Sequence, residues 1–148
     1  NRMRALCSHE KINKRLAAIA DVDSCLPFDH HMDKDELTFK IKREDLVLAT
    51  LDAVVIGYLR LDYLWSQHPF IAQIYILDAY RGQGIGTLLF CFLKKKLKNE
   101  GYTKLYSSSQ SNEPMAQRWH LKMGFSLCGS IQGINKDAVD ELFFAIAI

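Results

Sequence analysis

The spacing of apolar positions changes several times along the chain, and each change marks an element. In "HEKINKRLAAIADVD", Ile12, Leu16, Ile19 and Val22 recur at helical spacing, which predicts a first helix. "HHMDKDELTFKIKREDL" places Met32, Leu37, Phe39 and Ile41 where they line a second helix or a turn. From Leu46 the period shortens. "LVLATLDAVVIGYLRLDYLW" reads as two strands split near Asp52, with Val55, Gly57, Leu59 and Leu61 alternating with Ile56, Tyr58, Arg60 and Asp62. "SQHP" is a turn, and "FIAQIYIL", Phe70 to Leu77, is a third strand. The helical period returns after Gly84: Ile85, Leu88, Leu89, Phe92, Leu93 and Leu97 form one stripe. Lys94, Lys95, Lys96 and Lys98 close that helix, where cations complement its dipole. "TKLYSSS" is a strand. "NEPMAQRWHLKM" is a helix, with Pro114 in its first turn and Gly124 just past its end. "FSLCGSIQGI" and "DELFFAIAI" are two closing strands.

The order is helix, helix, three strands, helix, strand, helix, two strands. Consecutive strands pair antiparallel, and the crossover through the glycine-led helix gives one parallel pair. This is a mixed α/β fold rather than a doubly wound one. With 148 residues, 49% of them apolar, and no repeat or linker, residues 1–148 read as a single domain.

Charge and cysteines narrow the function. A net charge of +2 indicates no strongly acidic or histone-like partner. The lysine run reads as a solvated helix end, so no nucleic acid is expected. No apolar run approaches the roughly 20 residues of a membrane helix. "NRMRALCSHE" has no apolar h-region, so it does not read as a signal peptide. Cys7, Cys25, Cys91 and Cys128 are never closer than 18 residues, which excludes a CxxC pair. Cys91 and Cys128 lie in apolar stretches and read as small buried hydrophobes, and a cytoplasmic location follows by default. His30 and His31 have no companion at ligand spacing, so no metal site is expected.

Three glycines in five positions, Gly82, Gly84 and Gly86, stand between a strand and a helix. A helix N-terminus presents amides without internal partners and about half a positive charge, which makes an anion seat. Glycines let the backbone approach a phosphate, and Arg81 can add a guanidinium. G-x-G-x-x-G fails, because the third glycine would fall at Thr87 or Leu89. A Walker loop fails, because no lysine follows Gly86. The bland reading is tight packing alone, but a bare cap needs one glycine, not three.

"RGQGIG" fits R-x-x-G-x-G, and "WHLKMGF" ends in Gly124–Phe125. Here the chain resembles the GNAT superfamily of acyl-CoA-dependent N-acetyltransferases, over roughly residues 44 to 148. The resemblance implies a central, mostly antiparallel sheet with one parallel pair at a V-shaped split and helices on both faces. It implies acetyl-CoA as co-substrate, with Arg81, Gly82, Gln83, Gly84, Ile85, Gly86 and Thr87 gripping the pyrophosphate. The strand Ile74–Leu77 would offer main-chain groups of Ile74, Ile76 and Leu77 to the pantetheine arm. An amide near Ile76 or Leu77 would be the oxyanion donor. Ser109, Asn112 and Trp119 are further cofactor candidates; Asn112 also reads as a plain N-cap, and serines in loops as merely solvated.

The family's usual strand glutamate falls at Ala72, beside Gln73, and neither titrates. Candidates for the displaced base are Asp62, His68, His120 and Glu141; His68 also reads as a surface residue. The family's usual thiolate acid, a tyrosine, falls at His120, which can donate a proton or act as base through water. Its bland alternative is a half-buried histidine packed with Met115, Trp119 and Met123. An acidic rim of Asp29, Asp33, Asp35, Glu36, Asp137, Asp140 and Glu141 would attract a cationic amine, either a small molecule or a peptide. Three readings remain at this point: an N-acetyltransferase acting by direct attack in a ternary complex, a coenzyme-A-binding module without useful catalysis, and an interaction domain using the lysine-rich helix. Exposed edge strands permit a homodimer.

Overall fold

The chain enters its described course as a strand, not as the first helix that the spacing suggests. The computed structural model describes residues 11–148; Cys7 and the remainder of "NRMRALCSHE" lie outside the described residues. Strand β1 (Ile12–Leu16) pairs antiparallel with β2 (Leu46–Leu51), from Ile12↔Leu51 to Leu16↔Val47. Four apolar residues at helical spacing fit either state over so short a segment, and a partner strand decides in favour of the ladder. Beyond β1 come a 3-10 turn (Ile19–Asp21), helix α1 (Val22–Cys25) and a second 3-10 turn (Leu26–Phe28). Val22 faces the core, whereas Ile19 is exposed.

The remaining elements follow the predicted order: α2 (Lys34–Lys42), β2, β3 (Val54–Leu64), β4 (His68–Ile76), α3 (Ile85–Asn99), β5 (Lys104–Gln110), α4 (Pro114–Met123), β6 (Ser126–Ile131) and β7 (Glu141–Ala147). The sheet has seven strands in the order β1-β2-β3-β4-β5-β7-β6, with β4–β5 parallel and β1–β2, β2–β3, β5–β7 and β6–β7 antiparallel. The chain divides into two compact units. One holds the described residues up to Leu61 together with Gln73–Lys96; the other holds Asp62–Ala72 and Leu97–Ile148.

In the first unit, β2 turns into β3 at Asp52 and Ala53, both in the left-handed region (φ 49° and 65°). That is the pair of conformations a two-residue hairpin requires. Val22, Cys25, Phe28, Leu37 and Ile41 pack against Leu46, Leu48, Val55 and Tyr58. Burial pushes the Cys25 thiol up to about 12. Helix α2 is capped by Asp33, whose carboxylate accepts from the Glu36 amide (2.8 Å). It buries Leu37 and Ile41, four apart, and leaves Phe39 exposed. Ile85, Leu89, Phe90 and Leu93 are buried on α3. A side chain at Gly57 would meet Ile76 Cδ1 at 3.0 Å and Ile85 Cγ2 at 3.2 Å, so a glycine lets the ends of β4 and α3 close on β3.

In the second unit, β7 lies between β5 and β6, with Ser107↔Phe144 and Ser126↔Ala145 among its pairs. Helix α4 starts at Pro114 and ends at Gly124 (φ 100°), where the Phe125 amide reaches back to the His120 carbonyl (3.0 Å). Two cysteine readings are corrected: Cys91 and Cys128 are exposed, not buried. Cys91 lies off the α3 apolar stripe, and Cys128 lies on β6, which ends the sheet order with all six residues exposed. Among the described residues no helix is long and apolar enough to cross a membrane.

Candidate functional site

The first group of site residues lies at the end of β4 and the start of α3. A 3-10 turn (Asp78–Tyr80) leads into Arg81, then into Gly82 and Gly84 with φ of 73° and 82°. Those left-handed conformations are where the glycines are needed. A Cβ at Gly82 would meet nothing within 4 Å, so the turn faces open space. Leu88 donates to the Gly84 carbonyl (3.1 Å), so Ile85 and Gly86 open the helix with their amides toward its N-terminal end.

Arg81 does not project over this turn. Its Nε donates to the Ile76 carbonyl (3.1 Å), its guanidinium pairs with Asp78 (3.2 Å), and Cζ lies 5.0 Å from the Tyr75 ring centroid. The Leu77 amide, expected to be available to an oxyanion, donates to the Ile56 carbonyl (2.9 Å) and is therefore engaged. Strand amides alternate in direction, so the Ile76 amide points away from β3.

Behind this group is a buried charge that the sequence reading placed on an acidic rim. Asp29 is fully buried. Its Oδ2 accepts from the Tyr58 hydroxyl (2.8 Å) and from Arg60 Nε (2.6 Å), and Oδ1 accepts from the His31 amide (3.2 Å). Burial and the adjacent Asp29 push the Tyr58 hydroxyl well above its usual range. Phe28 stacks on Tyr58 and meets Tyr75 edge-on. Gln73, beside the family's base position, donates to the Phe28 carbonyl (3.1 Å). The missed signal was Arg60: a charged residue inside an apolar strand must find a partner. Asp33, Asp35 and Glu36 are exposed around α2.

The second unit holds the other candidates. His120 is 2% exposed, more deeply buried than the half-buried alternative supposed. Its Nδ1 lies 2.7 Å from the Ala116 carbonyl and its Nε2 lies 2.6 Å from Ser107 Oγ. A carbonyl only accepts, so Nδ1 carries the proton and Nε2 accepts from the Ser107 hydroxyl. The ring stacks on Phe144 (4.5 Å) and meets Trp119 and Phe125 edge-on, while Met115 stays exposed. Burial lowers the His120 pKa, with the Ala116 carbonyl opposing. Two residues along β5, Ser109 is buried and its hydroxyl has no hydrogen-bond partner. Glu141 accepts from Asn135 Nδ2 (3.0 Å), and Asp140 accepts from the Gly133 amide (2.8 Å), so both carboxylates brace the loop before β7. Asp137 is exposed. Asn112 is exposed and is not the cap of α4, which begins from Glu113 without a side-chain cap. Asp62 and His68 are half-buried on β3 and β4, and the His68 ring meets Trp65 and Tyr106 edge-on.

The sequence model described as the Acetyltransferase (GNAT) family matches residues 15–125. The chain belongs to this family. The GNAT fold recurs in solved structures. Ard1 from Thermoplasma volcanium superposes with a TM-score of 0.83 at 12% identity, over 93% of this chain and 98% of that one. yncA from Salmonella typhimurium, in a structure with its cofactor acetyl-CoA, gives 0.80 at 16% identity, over 93% and 94%. The ribosomal-protein-S18-alanine N-acetyltransferase from Escherichia coli gives 0.79 at 14% identity, again over 93% and 94%. No curated protein sequence matches the chain. The GNAT match begins near the end of β1, at Arg15, and includes the glycine turn.

Proposed function

We propose that this GNAT protein is an N-acetyltransferase moving an acetyl group from acetyl-CoA to a primary amine. The observation that carries the reading is the Arg81–Gly84 turn. It follows β4, opens α3, and holds two left-handed glycines, with open space at Gly82. That is a seat for a pyrophosphate. Gly82, Gln83, Gly84, Ile85, Gly86 and Thr87 would hold it through the backbone, and Ile74 and Ile76 would meet the pantetheine arm. The orphaned hydroxyl of Ser109 fits a ligand that brings a polar partner to it. Acetyl-CoA would supply the thioester that the amine attacks in a ternary complex: the C–N bond forms, the C–S bond breaks, and the departing sulfur takes up the second proton that the attacking nitrogen gives up.

The chain's own groups have three tasks. An alkylammonium of pKa about 10.4 is free amine only to about one part in a few thousand at pH 7, so a base must take its proton. Glu141, held by Asn135, is proposed for that task, since Ala72 cannot do it and Gln73 is engaged by Phe28. The Ile76 amide is proposed as oxyanion donor in place of Leu77. His120, neutral and bonded at both nitrogens, holds Ser107 and α4 in place. This reading replaces the proton-donor role suggested by its motif position.

The test is calorimetric titration with CoA, followed by thiol release from acetyl-CoA over an amine panel. Binding with turnover on amines supports the reading, and Glu141→Gln should keep CoA affinity while losing turnover. Binding without turnover on any amine leaves a coenzyme-A-binding module, and no binding removes the reading.

A further inference from the structure

We propose that Arg81 is a positioning residue for the acyl end of the site rather than a ligand of the pyrophosphate. The inference rests on the acetyltransferase reading and changes the task of the first residue in its motif. The peptide joining Ile76 to Leu77 is held at both ends. Its carbonyl accepts from Arg81 Nε (3.1 Å), and its N–H donates to the Ile56 carbonyl (2.9 Å). A peptide unit is planar, so two such bonds fix its rotation about the strand axis. The preceding peptide carries the Ile76 amide, and with Ile76 held in extended strand geometry, fixing its neighbour narrows the directions in which that amide can point.

The other Arg81 contacts draw the side chain the same way. The guanidinium lies over Tyr75, and Tyr75 rests edge-on against Phe28 in the core of the unit. Asp78, exposed at the start of the 3-10 turn, takes a further bond from Arg81 (3.2 Å). That pairing also offsets a carboxylate four residues from Gly82, where a bare negative charge would oppose an anion. All three partners lie within residues 75–78, and none lies on the glycine turn. The anion seat is then left to backbone amides at the α3 N-terminus.

Arg81→Lys separates the two tasks. Lysine keeps the charge that a phosphate ligand needs, but not the planar fork that bonds a carbonyl and a carboxylate together. At saturating acetyl-CoA, Arg81→Lys is expected to lose about tenfold or more in kcat, as misaligned donors do. Its Kd for CoA should stay within about threefold of the parent protein. Amide hydrogen exchange at Leu77 should quicken in the variant without cofactor, because one anchor of its peptide is gone. A Kd raised about tenfold with kcat kept would make Arg81 a phosphate ligand and overturn the proposal. Unchanged exchange at Leu77 would overturn it as well, whatever the cofactor does. Failure of the parent protein to bind CoA would sink the acetyltransferase reading instead, while the exchange measurement would still decide whether Arg81 pins the peptide.

Discussion

His120 shows how a motif position and a residue's surroundings can point in different directions. The position suggested a proton donor, but the ring is closed in by Phe144, Trp119 and Phe125, with both nitrogens bonded. Desolvation favours the neutral ring and lowers its pKa. The unfolded chain takes up a proton near pH 6.5, where the native ring does not. The unfolded state thus binds more protons below that value, and stability falls as pH drops from about 6.5 toward the lowered native pKa. Urea unfolding at pH 7.5 and pH 5.5 should show this loss, and His120→Gln should reduce it. An equal loss in both proteins would contradict the assignment.

At the scale of elements, the segment from α1 to α2 depends on one carboxylate. Asp29→Ala would leave Arg60 and the Tyr58 hydroxyl buried without their shared acceptor. Removing one partner of a buried pair costs about 3–5 kcal/mol. Chemical unfolding should show a loss of that order, and Asp29→Asn a smaller one, because the amide oxygen still accepts. Most elements were legible in the chain because their periods are long or their punctuation is strong. Helix α3 carries a stripe over four turns, α4 is bracketed by Pro114 and Gly124, and the β2–β3 turn falls at Asp52 as read. The segment before α2 was not legible. Ile12 and Leu16 satisfy helical spacing and strand pairing alike, and only β2 decides between them. The Asp29–Arg60 pair is equally hidden, because 31 residues separate its members.

At the scale of the whole molecule, the family, the mostly antiparallel sheet with its one parallel pair and the place of the glycine turn were all foreshadowed by the sequence. The direction of side chains and amides at the site was not. Arg81 turns back to a carbonyl of β4 five residues upstream, a choice its motif does not encode, and the Leu77 amide is taken by Ile56, a neighbour distant in sequence. Binding to the native state should be visible in global stability. Free CoA at about 100 times its Kd stabilises by about 2.7 kcal/mol. For a chain of this length that raises Tm by about 5–10 °C. Pantetheine at the same concentration, without the pyrophosphate, should raise it far less. Equal shifts from both would argue against the glycine turn as the phosphate seat.

The Asp29 pair also sets the timescale on which the stretch from Leu26 to Met32 can move. Opening it requires three donors to lose their acceptor together, and the Gln73 bond to Phe28 must break as well. A segment held in that way is a wall rather than a lid. Its amides are expected to exchange with the slower part of this unit, and the segment keeps one outline between such openings.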